Sequence, residues 1–163
     1  MGGLDQGPWS SVGLRSYKIP TFDPPSKRDD DSMEDAGSAH PDAIAAATGV
    51  LDRHLAALNS GDAAALAQTL HFPHYRLAGG RMQVWERPET YLQDFHARAG
   101  DEWHHSAWDF RDPIGAGPDQ VHLDVQFSRY RADGSRLGRY RSIWVVTCID
   151  RRWAAQLRSS FAG

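Results

Sequence analysis

Hydrophobic and polar positions divide the chain into a head without period and a longer part with two periods in succession. Ile44, Ala47, Leu51, Leu55 and Leu58 recur at helical spacing, which predicts one buried helix face. Pro41 and Asp42 mark its start, and Gly61 marks its end. Asp62 is placed to cap a second short helix, Ala63 to about Leu70, which Pro73 stops. Tyr75-Arg76-Leu77 and Met82-Gln83-Val84-Trp85 flank a Gly79-Gly80 turn and read as a hairpin. Pro88 opens a third helix that closes at Gly100 and buries Tyr91, Leu92 and Phe95. The pattern then changes to strand. A first strand over about 103–112 ends at Pro113. Val121, Leu123, Val125 and Phe127 alternate with His122, Asp124, Gln126 and Ser128, a clear period of two. Tyr140 to Ile149 is apolar on both faces, as a central strand is. The last strand puts Trp153, Ala155, Leu157, Ser159 and Phe161 on one side. Helices early and strands late predict an α+β fold, with helices packed on one face of an antiparallel sheet.

Charge separates the head from this periodic part. Residues 1–42 carry 4 Lys or Arg against 8 Asp or Glu, and residues 43–163 carry 14 against 13. With Asp29-Asp30-Asp31, Pro24-Pro25 and no period, residues 1–41 read as disordered, or as an arm that docks its apolar beads Trp9, Leu14, Tyr17, Ile19 and Phe22 in a groove. Residues 42–163 read as the domain. No apolar run approaches the roughly 20 residues that span a bilayer. The N-terminal residues lack a basic-then-apolar signal, and Cys148 has no partner for an internal disulfide, so the cytoplasm is the expected compartment. A net charge of −3 argues against general nucleic-acid binding.

The segment Leu51-Asp52-Arg53-His54-Leu55-Ala56-Ala57-Leu58-Asn59-Ser60-Gly61-Asp62, followed by a short helix, resembles the opening of the nuclear-transport-factor-2-like superfamily, including its SnoaL-like bacterial members. The runs Phe127 to Gly134, Tyr140 to Thr147, Trp153 and Arg158 to Phe161 resemble its last three strands. The resemblance covers about 42–163. It implies a cystatin-like, SnoaL-like α+β barrel: a curved antiparallel sheet wrapped by three N-terminal helices into a cone around a largely apolar pocket, and a homodimer through the outer sheet face. Some such proteins are isomerases, cyclases or dehydratases and others only bind partners, so the fold does not fix a reaction.

Aligned through Ala-Leu-Asn-x-Gly-Asp, the oxyanion-binding tyrosine of the superfamily's ketosteroid isomerases falls on His54. Their carboxylate base has no counterpart in residues 71–85, and their second acid falls in the apolar stretch around Trp144. Their usual chemistry is therefore not expected. His54 lies about 60° from the centre of its helix's apolar stripe, where it is either a boundary residue or a pocket acid or base. His71 and His74 flank Phe72-Pro73 and are able to converge in a proline turn, but spacing indicates no third ligand for a metal. His104 and His105 face opposite ways in a strand. His105 shares a side with Asp109, but four residues of strand separate the two by about 13 Å. His122 and Asp124 read as a solvent or interface face.

Trp85, Tyr91, Trp108, Tyr140, Trp144 and Trp153 supply core, or the lining of a cavity for a flat apolar ligand, aromatic or polycyclic. All 14 cationic residues of 43–163 are Arg. Arg129, Arg131, Arg136, Arg139 and Arg141 read as a solvated rim, with an anion or nucleic-acid site and inter-subunit ion pairs as alternatives, and Arg158 is placed to pair with Asp124 or Asp109. No nucleophile elbow, phosphate loop or zinc-binding helix motif is present.

The expected protein is a cofactor-free and metal-free domain that binds a small apolar molecule, with Trp85, Tyr91, Trp108, Tyr140, Trp144 and Arg158 at the ligand. One alternative is a lyase or isomerase moving a proton beside a carbonyl, with His54 and one of His71, His74 or His105 as acid and base and a pH limb near neutrality. The other is a partner-binding module that uses the N-terminal arm.

Overall fold

A computed structural model describes residues 40–161. The expected arm, 1–41, lies outside the described residues except for its last two. Three helices and six strands follow in the order α1 (Pro41–Ser60), α2 (Ala63–Gln68), β1 (Leu70–Ala78), β2 (Arg81–Trp85), α3 (Pro88–Ala99), β3 (His105–Ala116), β4 (Gln120–Tyr130), β5 (Arg136–Ile149) and β6 (Arg152–Ser160). No helix among the described residues is long and apolar enough to cross a membrane.

Helix α1 starts with Pro41 in its first turn and ends at Gly61, whose left-handed φ of 69° a side chain would strain. The Gly61 and Asp62 N–H groups donate to the Leu58 and Ala57 carbonyls, and the Asp62 side chain then caps α2 at Ala65. Ala43, Ala47, Val50, Leu51, His54, Ala57 and Leu58 are buried. Small residues widen the face beyond the large aliphatics, so His54 sits near its centre rather than at its edge.

The sheet order is β2-β1-β6-β5-β4-β3. Four neighbouring pairs are antiparallel, but β1 and β6 run parallel, so the sheet is mixed rather than wholly antiparallel. The first hairpin joins the later four-stranded meander through this one parallel contact. Strands β2 and β3 are the two edges, so the sheet is open and not a closed barrel. Its inner face holds Val121, Leu123 and Val125 of β4, Trp144 and Val146 of β5 and Ala155 of β6, packed with the α1 stripe into one core.

Irregular pairing re-aims side chains. Strand β3 slips register between Trp108 and Phe110 and between Pro113 and Gly115, which lets it continue through Pro113, past its expected end. Strand β6 slips opposite Val145 and Val146. The extra residue reverses the alternation, so Ala155 and Arg158 both face the core, contrary to the simple period of two. Pro73 lies inside β1, not at the end of α2. It sits where the β6 register is interrupted, and pairing with β2 begins only at His74, so its missing N–H leaves no ladder bond broken.

Candidate functional site

The inner sheet face changes character toward the ends of β1, β4 and β6. Arg76 follows His74 in the inward phase of β1, Arg129 follows Phe127 in β4, and Arg158 lies opposite both Arg76 and Trp144 in β6. Helix α3 adds Phe95 and Arg98 from above. Together they enclose an open cavity of about 340 Å³, whose further walls include Phe127, Tyr140 and Ser142. That volume lies at the low end of small-molecule sites. Phe127 and Tyr140 stack with ring centroids 5.3 Å apart, and the Arg129 guanidinium lies 4.7 Å from the Tyr140 ring. Arg158 lies between the Tyr91 and Trp144 rings, at 5.6 and 5.5 Å.

Beneath the cavity, His54, Leu58, Tyr91, Trp108, Trp144 and Arg158 surround a throat of about 30 Å³. That is room for about one water molecule. The bulky rings fill the apolar end, and the open volume lies further out among the arginines. Among the ligand residues expected from the sequence, Tyr91, Trp108, Trp144 and Arg158 line the throat, and Tyr140 and Arg158 line the outer cavity. Trp85 lines neither. It is buried behind them, stacked on His74 and donating its indole N–H to Asp94.

The expected pairing of Arg158 with Asp124 or Asp109 does not occur. Asp124 takes the Arg141 guanidinium on the outer face, and Asp109 accepts from Ser128 and Gln126 beside Arg139. The reversed alternation of β6 puts Arg158 on the other side of the sheet. Of the expected arginine rim, Arg131, Arg139 and Arg141 form exposed ion pairs, while Arg129 points into the cavity.

The histidines separate into distinct environments. The Thr69 hydroxyl donates to the Leu66 carbonyl, so it accepts from His54 Nδ1–H at 2.8 Å and leaves Nε2 as the acceptor. Burial, then the positive charge of Arg158, drives His54 down from 6.5 to about 3. His74 donates from Nδ1 to the Ala155 carbonyl at 3.1 Å, and its buried Nε2 has no partner among the described residues. Burial, then Arg158, takes it also to about 3. His71 is fully engaged: Nε2 donates to Thr147 O, and Nδ1 accepts from Arg152, which also holds the Gln68 and Leu70 carbonyls. It pins the start of β1 to β5 and β6. His105 stacks on Tyr130, and neither it nor His71 lines the cavity or the throat. No cluster of three or more His, Cys, Asp or Glu able to hold a metal exists among the described residues.

Arg76, Arg98 and Arg129 were not expected here. The inward phase of Arg129 after Val125 and Phe127 was available in the sequence, but a cluster spread over β1, α3, β4 and β6 has no local spacing to reveal it.

No family model and no curated protein matches the sequence. Solved structures do match. An NTF2-like protein with a cystatin-like fold from Novosphingobium aromaticivorans is 16% identical, with a TM-score of 0.59 over 74% of this chain and 81% of that one. A protein provisionally assigned as an aromatic ring hydroxylase, from the same organism, is 13% identical, with a TM-score of 0.56 over 74% and 88%. One provisionally assigned as a ketosteroid isomerase, from Shewanella frigidimarina, is 18% identical, with a TM-score of 0.54 over 71% and 94%. The chain has the cystatin-like fold of NTF2-like proteins.

Proposed function

We propose that the protein binds a small, flat molecule with an apolar body in the cavity between α3 and the inner sheet face. The observation that carries this reading is the aromatic wall of Phe95, Phe127 and Tyr140 around open space of about 340 Å³. A flat ring is the body such faces accept by stacking. The filled throat limits the ligand to the outer cavity, so a polycycle reaching down to His54 is too deep for this site. The provisional assignments of two structural neighbours to aromatic and steroid chemistry agree with a ligand of this type, without specifying one. The test is calorimetric titration with 2-naphthylmethanol, a neutral flat probe. Binding to the full chain, weakened about tenfold or more by Phe127→Ala, is the expected result. Equal affinity of the variant would place the probe elsewhere and remove the reading.

A second reading, proton transfer beside a carbonyl, is favoured by one observation: Thr69 fixes the His54 tautomer with Nε2 as acceptor at the throat. With a pKa of about 3, His54 is a weak base near neutrality, and a pH limb due to it falls in acid rather than near neutral pH. Solvent-proton exchange into a small aliphatic ketone such as 2-butanone, compared between wild type and His54→Gln, tests it. Catalysed exchange lost in the variant is expected on this reading, and equal rates would exclude it.

A further inference from the structure

Among the described residues, the cavity holds more positive charge than its surroundings neutralise. Arg76, Arg98, Arg129 and Arg158 come from four separate elements, and all four line it. Among the described residues, none of the four has a carboxylate within ion-pair distance, although four other arginines do. Arg158 is 9% exposed, and its Nε has no hydrogen-bond partner among the described residues. Arg98 Nη2 and Arg129 Nε are likewise buried without partners. The contacts they do make are with neutral groups. Arg76 donates to the Ser160 hydroxyl, Arg98 to the Asp94 carbonyl and Arg129 to the Arg98 carbonyl. Arg98, Arg129 and Arg158 also lie over aromatic faces. Asp94, on α3 with Arg98, spends its carboxylate on Gln83 and Trp85.

Grouped, partly desolvated cations without anions are costly, and a buried donor without an acceptor adds to that cost. Burial holds Arg98 down at about 10 and also lowers Arg76 and Arg129, with the charge of Arg158 acting in the same direction on each. A bound oxyanion removes both penalties together. It accepts from the free N–H groups, and guanidinium forks match its oxygen geometry.

We propose that the ligand of this cavity carries an oxyanion head, a carboxylate or its phosphate or sulfonate equivalent, held by Arg98, Arg129 and Arg158 with its flat apolar body against Phe127 and Tyr140. This rests on the reading of the cavity as a small-molecule site and assigns the chemical class of its occupant. Arg141 also borders the cavity, but Asp124 already neutralises it, as Asp109 and Glu102 neutralise Arg139 and Arg131, so these three do not share the task.

The test compares 2-naphthoate with 2-naphthylmethanol on the full chain, by calorimetry at low and moderate salt. The expected result is at least about tenfold tighter binding of the naphthoate, as charge-assisted hydrogen bonds produce. Arg158→Met and Arg98→Met are expected to abolish the preference for the naphthoate over the alcohol, with circular dichroism and thermal unfolding showing that the variants are folded. Arg131→Met, on the exposed Glu102 pair, changes neither affinity and controls for net charge. Equal affinity of the two probes for the wild type overturns the anion assignment alone. Failure of both to bind overturns the small-molecule reading with it. A naphthoate preference that persists in Arg158→Met and Arg98→Met puts the anion elsewhere and also overturns the assignment.

Discussion

His54 and His74 are imidazoles without a neutralising anion, buried under the same arginine. Both are neutral in the folded chain down to about pH 3, whereas in the unfolded chain they take up a proton near 6.5. The unfolded state therefore binds more protons between those limits. Their contribution to stability is complete above 6.5 and is lost as pH falls toward 3. From pH 6.5 to 5 carboxylates are still ionised in both states, and each of the two histidines is expected to remove roughly 1 kcal/mol per pH unit. Urea unfolding at pH 6.5 and pH 5 measures the slope, to which His71, also lowered by burial, adds in the same direction, and His74→Gln is expected to reduce it by roughly 1 kcal/mol per pH unit. Stability independent of pH over this range would mean that the rings are solvated. Burial of this kind is hard to foresee from the chain. His54 falls on an apolar stripe that Ala43, Val50 and Ala57 extend around it, and small residues weaken a periodic signal. His74 depends on β1 running parallel to the distant β6.

At the scale of elements, the ordered set of three helices and six strands was legible, because capping glycines, prolines and alternation are local. Two features were not. The reversal of phase in β6 arises from one extra residue and puts Arg158 in the cavity. The role of Asn59 is also tertiary: its side-chain amide donates to the Ser106 carbonyl at 2.8 Å and accepts from the Ser106 N–H at 2.9 Å. The end of α1 thus satisfies the backbone of edge strand β3 as a neighbouring strand would. This gives the Ala-Leu-Asn-x-Gly-Asp sequence a physical meaning. Asn59→Ala is expected to cost about 1–3 kcal/mol in denaturant unfolding, because it leaves both Ser106 groups without partners. A loss below about 0.5 kcal/mol would show that water replaces the amide. In β5, a Cβ at Gly138 comes within 2.9 Å of the Tyr140 hydroxyl. Only the far end of that side chain has to move. Gly138→Ala is therefore expected to keep stability within about 1 kcal/mol while displacing Tyr140 from Arg129 and weakening 2-naphthoate several-fold. Unchanged affinity would show that Tyr140 is not a ligand wall.

For the whole molecule, an open mixed sheet covered by helices on one face leaves the cavity between α3 and the ends of β1, β4, β5 and β6. The fold explains why four arginines converge there, since each is aimed inward by its own element. It also explains why Arg139 and Arg141 do not take part: their carboxylates, Asp109 and Asp124, lie with them on the outer face. The crystal structure of the 2-naphthoate complex tests this account most directly. The expected result is a carboxylate within hydrogen-bond distance of Arg98, Arg129 and Arg158, with the naphthalene ring against Phe127 and Tyr140. A naphthoate seated on the outer sheet face, with the arginine cavity empty, would contradict it.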